Sequence, residues 1–140
     1  MSGDFFDTNI LVYAYDASAG EKHTNACKLL TEAIDRKSML ISLQVLMELY
    51  VTITKKSKMN VPEQTAAEII KELSAFCTFC PKNDDLLEAC RFSQKHMLSL
   101  WDSLILHAAA TLETDTIWSE DLQHGFTFEG VKVKNPFLRP

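Results

Sequence analysis

Short apolar runs alternate along this chain with longer segments in which apolar residues recur every three to four positions. Phe5-Phe6 is the first short run and predicts a strand, followed by a helix near Ile10 to Tyr15 and a second from about Lys22 to Asp35. Met39-Leu40-Ile41 reads as the next strand, and Ser42 is placed to cap the helix that carries Glu48. Asn60 is expected to cap a further helix, with Pro62 in its first turn and Ala66, Ile69, Ile70 and Leu73 on its buried face. Phe76 to Cys80 reads as a third strand, and Asn83 or Asp84 opens a helix through about Lys95. The segment from Trp101 to Leu112 is apolar nearly all round and predicts a helix deep in the protein. Ile117-Trp118 and Val131-Lys132-Val133 complete the strands, and Asn135-Pro136-Phe137-Leu138 reads as an irregular arm. Without internal repeats or low-complexity stretches, this alternation predicts an α/β sandwich around a mainly parallel sheet.

Size and composition narrow the picture. With 140 residues, 46% of them hydrophobic, the chain is large enough for one domain with a real core and too short for two ordinary ones, so a single domain over residues 1–140 is expected. Its start, Met1-Ser2-Gly3-Asp4, lacks a signal-peptide pattern, and no apolar run approaches the roughly 20 residues that span a bilayer. A soluble, cytoplasmic protein without membrane contact is the expectation. The net charge of −5 argues against non-specific binding of duplex DNA, which needs a broadly basic face. A nucleic-acid substrate would have to be met locally, at Lys55-Lys56-Ser57-Lys58, around Arg91, Lys95 and His96, or at Lys132, Lys134 and Arg139. Solvated helix ends and loops are the alternative for each cluster. Cys27, Cys77, Cys80 and Cys90 read as reduced thiols packed as small apolar side chains. Cys77-Thr78-Phe79-Cys80 has the spacing of a zinc or redox half-motif, but it has no second pair, and in a strand its cysteines would point to opposite faces.

Four acids change the picture further: Asp7, Glu48, Asp102 and Asp121 each lie in or beside an apolar segment expected to be buried. An ionised carboxylate in such a place is costly unless a cation meets it. Asp7 and Asp121 follow predicted strands, and ligands of open parallel sheets bind beyond the carboxyl ends of the strands. Glu48 falls about 9 Å along its helix from Ser42 at 1.5 Å per residue, and Asp102 opens a helix on the stripe of Ile105, Leu106 and Ala109. The acids can therefore converge on one mouth of the sheet. Two carboxylates 5 Å apart repel by roughly 3 kcal/mol at an effective dielectric near 20, a penalty that a bound dication removes. Oxygen-only donors favour Mg²⁺ or Mn²⁺ over zinc, and such a pocket suits phosphodiester hydrolysis. His124-Gly125 reads as a turn rather than as a metal ligand, Asp16 as a helix-end or surface acid, and Trp101 as core packing rather than a base-stacking platform.

Asp7-Thr8-Asn9-Ile10-Leu11-Val12-Tyr13-Ala14, mid-helix Glu48, Leu98-Ser99-Leu100-Trp101-Asp102-Ser103-Leu104-Ile105 and Ser119-Glu120-Asp121-Leu122 together resemble the PIN domain family, particularly its VapC-like toxin branch. The resemblance runs through the whole chain in order. It implies a three-layer α/β/α fold, a Mg²⁺- or Mn²⁺-dependent endoribonuclease acting on single-stranded or looped RNA, homodimers, and neutralisation by a cognate antitoxin. Carried over by position, it makes Asp7, Glu48, Asp102 and Asp121 the catalytic and metal-binding acids. Thr8, Asn9 and Ser119 would hold those carboxylates or a coordinated water by hydrogen bonds, with a helix cap as the other reading of Thr8 and Asn9. Glu120 adjoins Asp121, and a one-residue shift would exchange them; Asp121 is preferred. A catalytically silent PIN module that binds RNA or protein is the competing reading. A receiver-like phospho-acceptor domain fits less well, because Asp4-Phe5-Phe6-Asp7 lacks the adjacent acids such a domain needs.

Overall fold

Phe5 and Phe6 are adjacent in a strand, so they point to opposite faces, and both are completely buried. Helices must therefore cover the sheet on both sides. The structure, a computed structural model, describes residues 3–56 and 58–138; Met1, Ser2, Ser57, Arg139 and Pro140 fall outside the described residues. The strands are β1 (Asp4–Phe6), β2 (Met39–Ser42), β3 (Cys77–Phe79), β4 (Thr116–Trp118), β5 (Thr127–Phe128) and β6 (Val131–Lys134). They form one sheet in the order β3-β2-β1-β4-β6-β5, parallel except for the β5–β6 hairpin. The helices are α1 (Thr8–Tyr15), α2 (Glu21–Asp35), α3 (Leu43–Val51), α4 (Glu63–Leu73), α5 (Asn83–His96) and α6 (Leu100–Thr111). One helical group is chained through α1–α2, α1–α3 and α3–α4 contacts, and α5 pairs with α6. The expected α/β/α sandwich around a mainly parallel sheet is the architecture observed, and no helix among the described residues is long and apolar enough to cross a membrane.

The chain runs outward from central β1 to β2 and β3, then returns to β4 on the other side of β1. Strand order thus reverses between β1 and β4, where Asp4, Phe5 and Phe6 lie beside Thr116, Ile117 and Trp118. At the carboxyl end of this pair, the Asp7 N–H donates to the Trp118 carbonyl at 3.0 Å, bringing the segments after β1 and β4 together.

Several boundaries differ from the sequence reading. Asn60 does not cap α4: it adopts a left-handed φ of 45°, and Pro62 occupies the cap position with no side-chain cap. Proline forces Val61 toward extended backbone, so the helix waits until Glu63. Ser74–Phe76 is a tight 3₁₀ turn, which shortens β3 to three residues and leaves Cys80 beyond its end. Strand alternation therefore does not set Cys77 and Cys80 on opposite faces; their thiols lie close enough to act on one another electrostatically, and the Cys77 thiol donates to the Phe79 carbonyl at 3.9 Å. The two-residue β5 was not foreseen. Glu129 and Gly130, with φ of 47° and 82°, form the turn that folds it against β6, and positive φ at both positions is the backbone of a tight hairpin.

Candidate active site

The acidic site is assembled at the strand-order reversal. Asp7 follows β1 directly and caps α1: its Oδ1 accepts from the Thr8 N–H at 2.7 Å. Its Oδ2 accepts from the Ser119 hydroxyl, also at 2.7 Å, across the β1–β4 boundary. Ser119 is fully buried just past β4, and its oxygen accepts in turn from the Asp121 and Leu122 N–H groups at 3.2 Å each. One hydroxyl thus ties the first acid to the loop that carries the fourth. On the other side of β1, Ser42 closes β2 and caps α3 by accepting from the Val45 N–H, so α3 leaves beside Asp7 with Glu48 on its second turn. Ser99 caps α6 by accepting from the Asp102 N–H at 3.0 Å, which fixes Asp102 in the first turn.

Electrostatics links the quartet. Burial pushes the Asp7 carboxyl from its ordinary 3.8 up to about 6, against the hydrogen bonds from Ser119 and Thr8 and with the help of the Asp121 and Glu48 charges. Glu48 is raised by burial, and by Asp102 and Asp121, against the hydrogen bond from Gln44 and the Lys56 charge. Asp121 is raised by burial and by Asp102 and Glu120, against a hydrogen bond from Asn9. Every member of the quartet is therefore close enough to act on at least two others. The convergence expected from sequence is present, but the expected burial is not uniform. Asp7 is only 6% exposed, whereas Glu48 and Asp102 are half-buried and Asp121 is exposed. The carboxyl edge of the sheet opens to solvent, so helix starts and loops placed there keep one side wet.

The supporting residues divide. Asn9 Nδ2 donates to Asp121 Oδ2 at 2.6 Å, and Ser119 holds Asp7 as described. Thr8 departs from expectation: its backbone N–H holds Asp7, while its hydroxyl is buried without a hydrogen-bond partner. Glu120 is engaged elsewhere, with Tyr13 Oη and Lys22 Nζ donating to it at 2.6 and 2.5 Å. Burial raises its carboxyl, but those hydrogen bonds and the Lys22 charge outweigh burial and leave it below its ordinary value. Asp121 is the member of the pair aimed at the quartet. Asp16 is a helix-end acid holding the Ser18 N–H and hydroxyl, and His124 Nδ1 accepts from the Asn135 N–H at 3.0 Å in a turn.

Two residues were missed or misread. Gln44 is buried, and its Nε2 donates both to Glu48 Oε1 at 2.7 Å and to the Trp101 carbonyl at 3.0 Å. The four-residue spacing from Gln44 to Glu48, which puts them on one helix face, was the available signal. Trp101 is not core packing: it is 61% exposed. An all-apolar helix gives no pattern to say which side faces out, and the first turn of α6 stands at the open edge of the sheet.

Among the described residues no three His, Cys, Asp or Glu side chains are gathered closely enough to ligate one ion as they stand. The donor set nonetheless suits a hard dication: every candidate is an oxygen, and the Thr8 hydroxyl beside Asp7 is buried and unpartnered.

No curated protein sequence matches this chain. Among solved structures, the VapC20 toxin of Mycobacterium tuberculosis, described as cleaving the sarcin–ricin loop, superposes with a TM-score of 0.64 at 18% identity, over 85% of this chain and 92% of that one. VapBC2 of Rickettsia felis, solved bound to a DNA fragment from its promoter, gives 0.59 at 21% identity, over 94% and 97%. These likenesses are in fold. The PIN domain model matches residues 5–126, from the first strand through the loop bearing Asp121, and the chain belongs to the PIN domain family.

Proposed function

We propose that this chain is a single-domain, metal-dependent endoribonuclease over residues 1–140, the VapC-like toxin of a toxin–antitoxin pair, acting on single-stranded or looped RNA. The observation that carries this reading is the mutual electrostatic reach of Asp7, Glu48, Asp102 and Asp121 at the strand-order reversal of a PIN domain. Asp7, Glu48, Asp102 and Asp121 would hold Mg²⁺ or Mn²⁺, with the Thr8 hydroxyl available beside Asp7. When bound, such a dication supplies Lewis acidity that activates water and stabilises the leaving oxygen. The chain's own residues orient the acids: Ser119 and the Thr8 N–H fix both oxygens of Asp7, Asn9 fixes Asp121, and Gln44 fixes Glu48. The likeness to a toxin described as cleaving an RNA loop, and to a VapBC2 structure, supports the substrate class and the antitoxin partner. A homodimer and cytoplasmic residence complete the reading.

The wild type is expected to cleave single-stranded RNA with Mg²⁺ or Mn²⁺ and to stop in excess EDTA. Asp7→Asn and Asp102→Asn should each lower the rate by orders of magnitude. Full activity in EDTA, or in both variants, would end the metal-nuclease reading. The competing reading, a silent module that binds RNA or protein, is favoured by the acids not being gathered around one point. Calorimetric Mg²⁺ binding without cleavage of any RNA would select it.

A further inference from the structure

We propose that the groove beside the acids is a nucleotide-stacking subsite, in which the Trp101 indole takes an RNA base next to the scissile phosphodiester and Lys56 meets a flanking phosphate. This rests on the ribonuclease reading above. The groove has a volume of about 430 Å³, within the range of small-ligand pockets, and is lined by Trp101, Met47, Val51, Gln44, Glu48 and Lys56 among others. Ser103, Leu104, Ile105 and Leu106, which follow in α6, are buried, yet Trp101 is 61% exposed. A large aromatic left in water at a site mouth offers a free π-face, and stacking on such a face accepts any base.

The platform is fixed to the acids. Trp101 adjoins Asp102 in sequence, and Gln44 Nε2 bridges the Trp101 carbonyl to Glu48 Oε1. Met47 and Val51, 54% and 40% exposed, supply apolar surface one turn apart on α3. Lys56 closes the π-helical turn Thr52–Lys56 that follows α3, near enough for its charge to act on Glu48. Single π-helical turns are rare and recur at functional sites. One exposed aromatic face with one cation beside it, at the edge of acids that a bound dication would neutralise, fits a single-stranded polyanion better than an apolar protein segment. In a chain of net charge −5, a local cation is how phosphate would be met.

The test uses the full chain. Trp118 is the other of two tryptophans, so Trp118→Phe leaves Trp101 as the only indole reporter. Titration of that protein with short oligouridylate and oligoadenylate should quench its fluorescence to saturation with both. In cleavage of the same RNAs, Trp101→Ala should raise KM about tenfold or more with kcat little changed. Trp101→Phe should restore most of the loss, and Trp101→Leu should not. Lys56→Gln should flatten the logarithmic salt dependence of KM by about 0.7, the contribution of one phosphate of a single strand. Saturable quenching without cleavage would retire the nuclease reading and leave the subsite standing. Fluorescence unmoved by RNA, or a Trp101→Ala KM within about twofold of wild type, overturns the subsite. Unchanged RNA kinetics with loss of a protein inhibitor's grip in Trp101→Ala would also overturn it and give the groove to a protein.

Discussion

Asp7 carries the largest electrostatic burden at the residue scale. Its carboxyl is raised from 3.8 to about 6 in the folded protein, so in that interval the folded state holds a proton that the unfolded chain has lost. Stability contributed by the neutral form is complete below about pH 4 and is lost as pH rises through about 6, amounting to on the order of 3 kcal/mol at pH 7. Asp7→Asn keeps the shape and removes the charge. Denaturant unfolding in EDTA should therefore find the variant more stable than wild type at pH 7.5 and close to it at pH 4. A variant less stable at both would make Asp7 a structural cap instead. Ser119 is the complementary case, because its hydroxyl donates to Asp7 while accepting from the Asp121 and Leu122 N–H groups. Ser119→Ala should cost about 1–3 kcal/mol through the stranded donors and push the Asp7 pKa higher still, readable by carboxyl titration.

At the scale of elements, α3 brings Glu48 to the site, and the β5–β6 hairpin lies at the sheet edge beyond β4. Gly130 has φ of 82°, a left-handed backbone that costs a residue with a Cβ about 1–2 kcal/mol. Gly130→Ala should lower the unfolding free energy by that amount and leave RNA cleavage unchanged, separating hairpin stability from chemistry. Cys77 and Cys80 flank the end of β3 as neighbouring free thiols. The Cys77→Ala, Cys80→Ala double variant should keep its cleavage rate. Stoichiometric zinc in the purified protein that vanishes in this variant would show the pair to be a metal site.

At the scale of the whole molecule, acids from four separate elements share one mouth, and their repulsion is a standing cost to the metal-free fold. A dication that binds only the folded state adds about 2.7 kcal/mol at a hundredfold excess over its dissociation constant. Thermal unfolding should show Mg²⁺ stabilising wild type by a margin of that size and Asp102→Asn much less. No Mg²⁺ shift in either protein would return Asp102 to a purely structural role.

The sequence by itself determined the order of all elements but β5, the parallel α/β class and the candidate acids, because each rests on local information. Paired apolar strand runs, the Ser42 cap and an acid just after a strand are all written within a few residues. It could not place Asn60, since the backbone demand of Pro62 overrode a good cap residue, and it did not show β5, whose two residues exist as a strand only through pairing with β6. Only the tertiary structure decided that Glu120 goes to Lys22 and Tyr13 while Asp121 faces the quartet, because Lys22 lies 98 residues away. Exposure was likewise a tertiary matter: Trp101 and Asp102 share one apolar segment, and the open edge of the sheet, which no local pattern encodes, leaves the indole in solvent beside the acids.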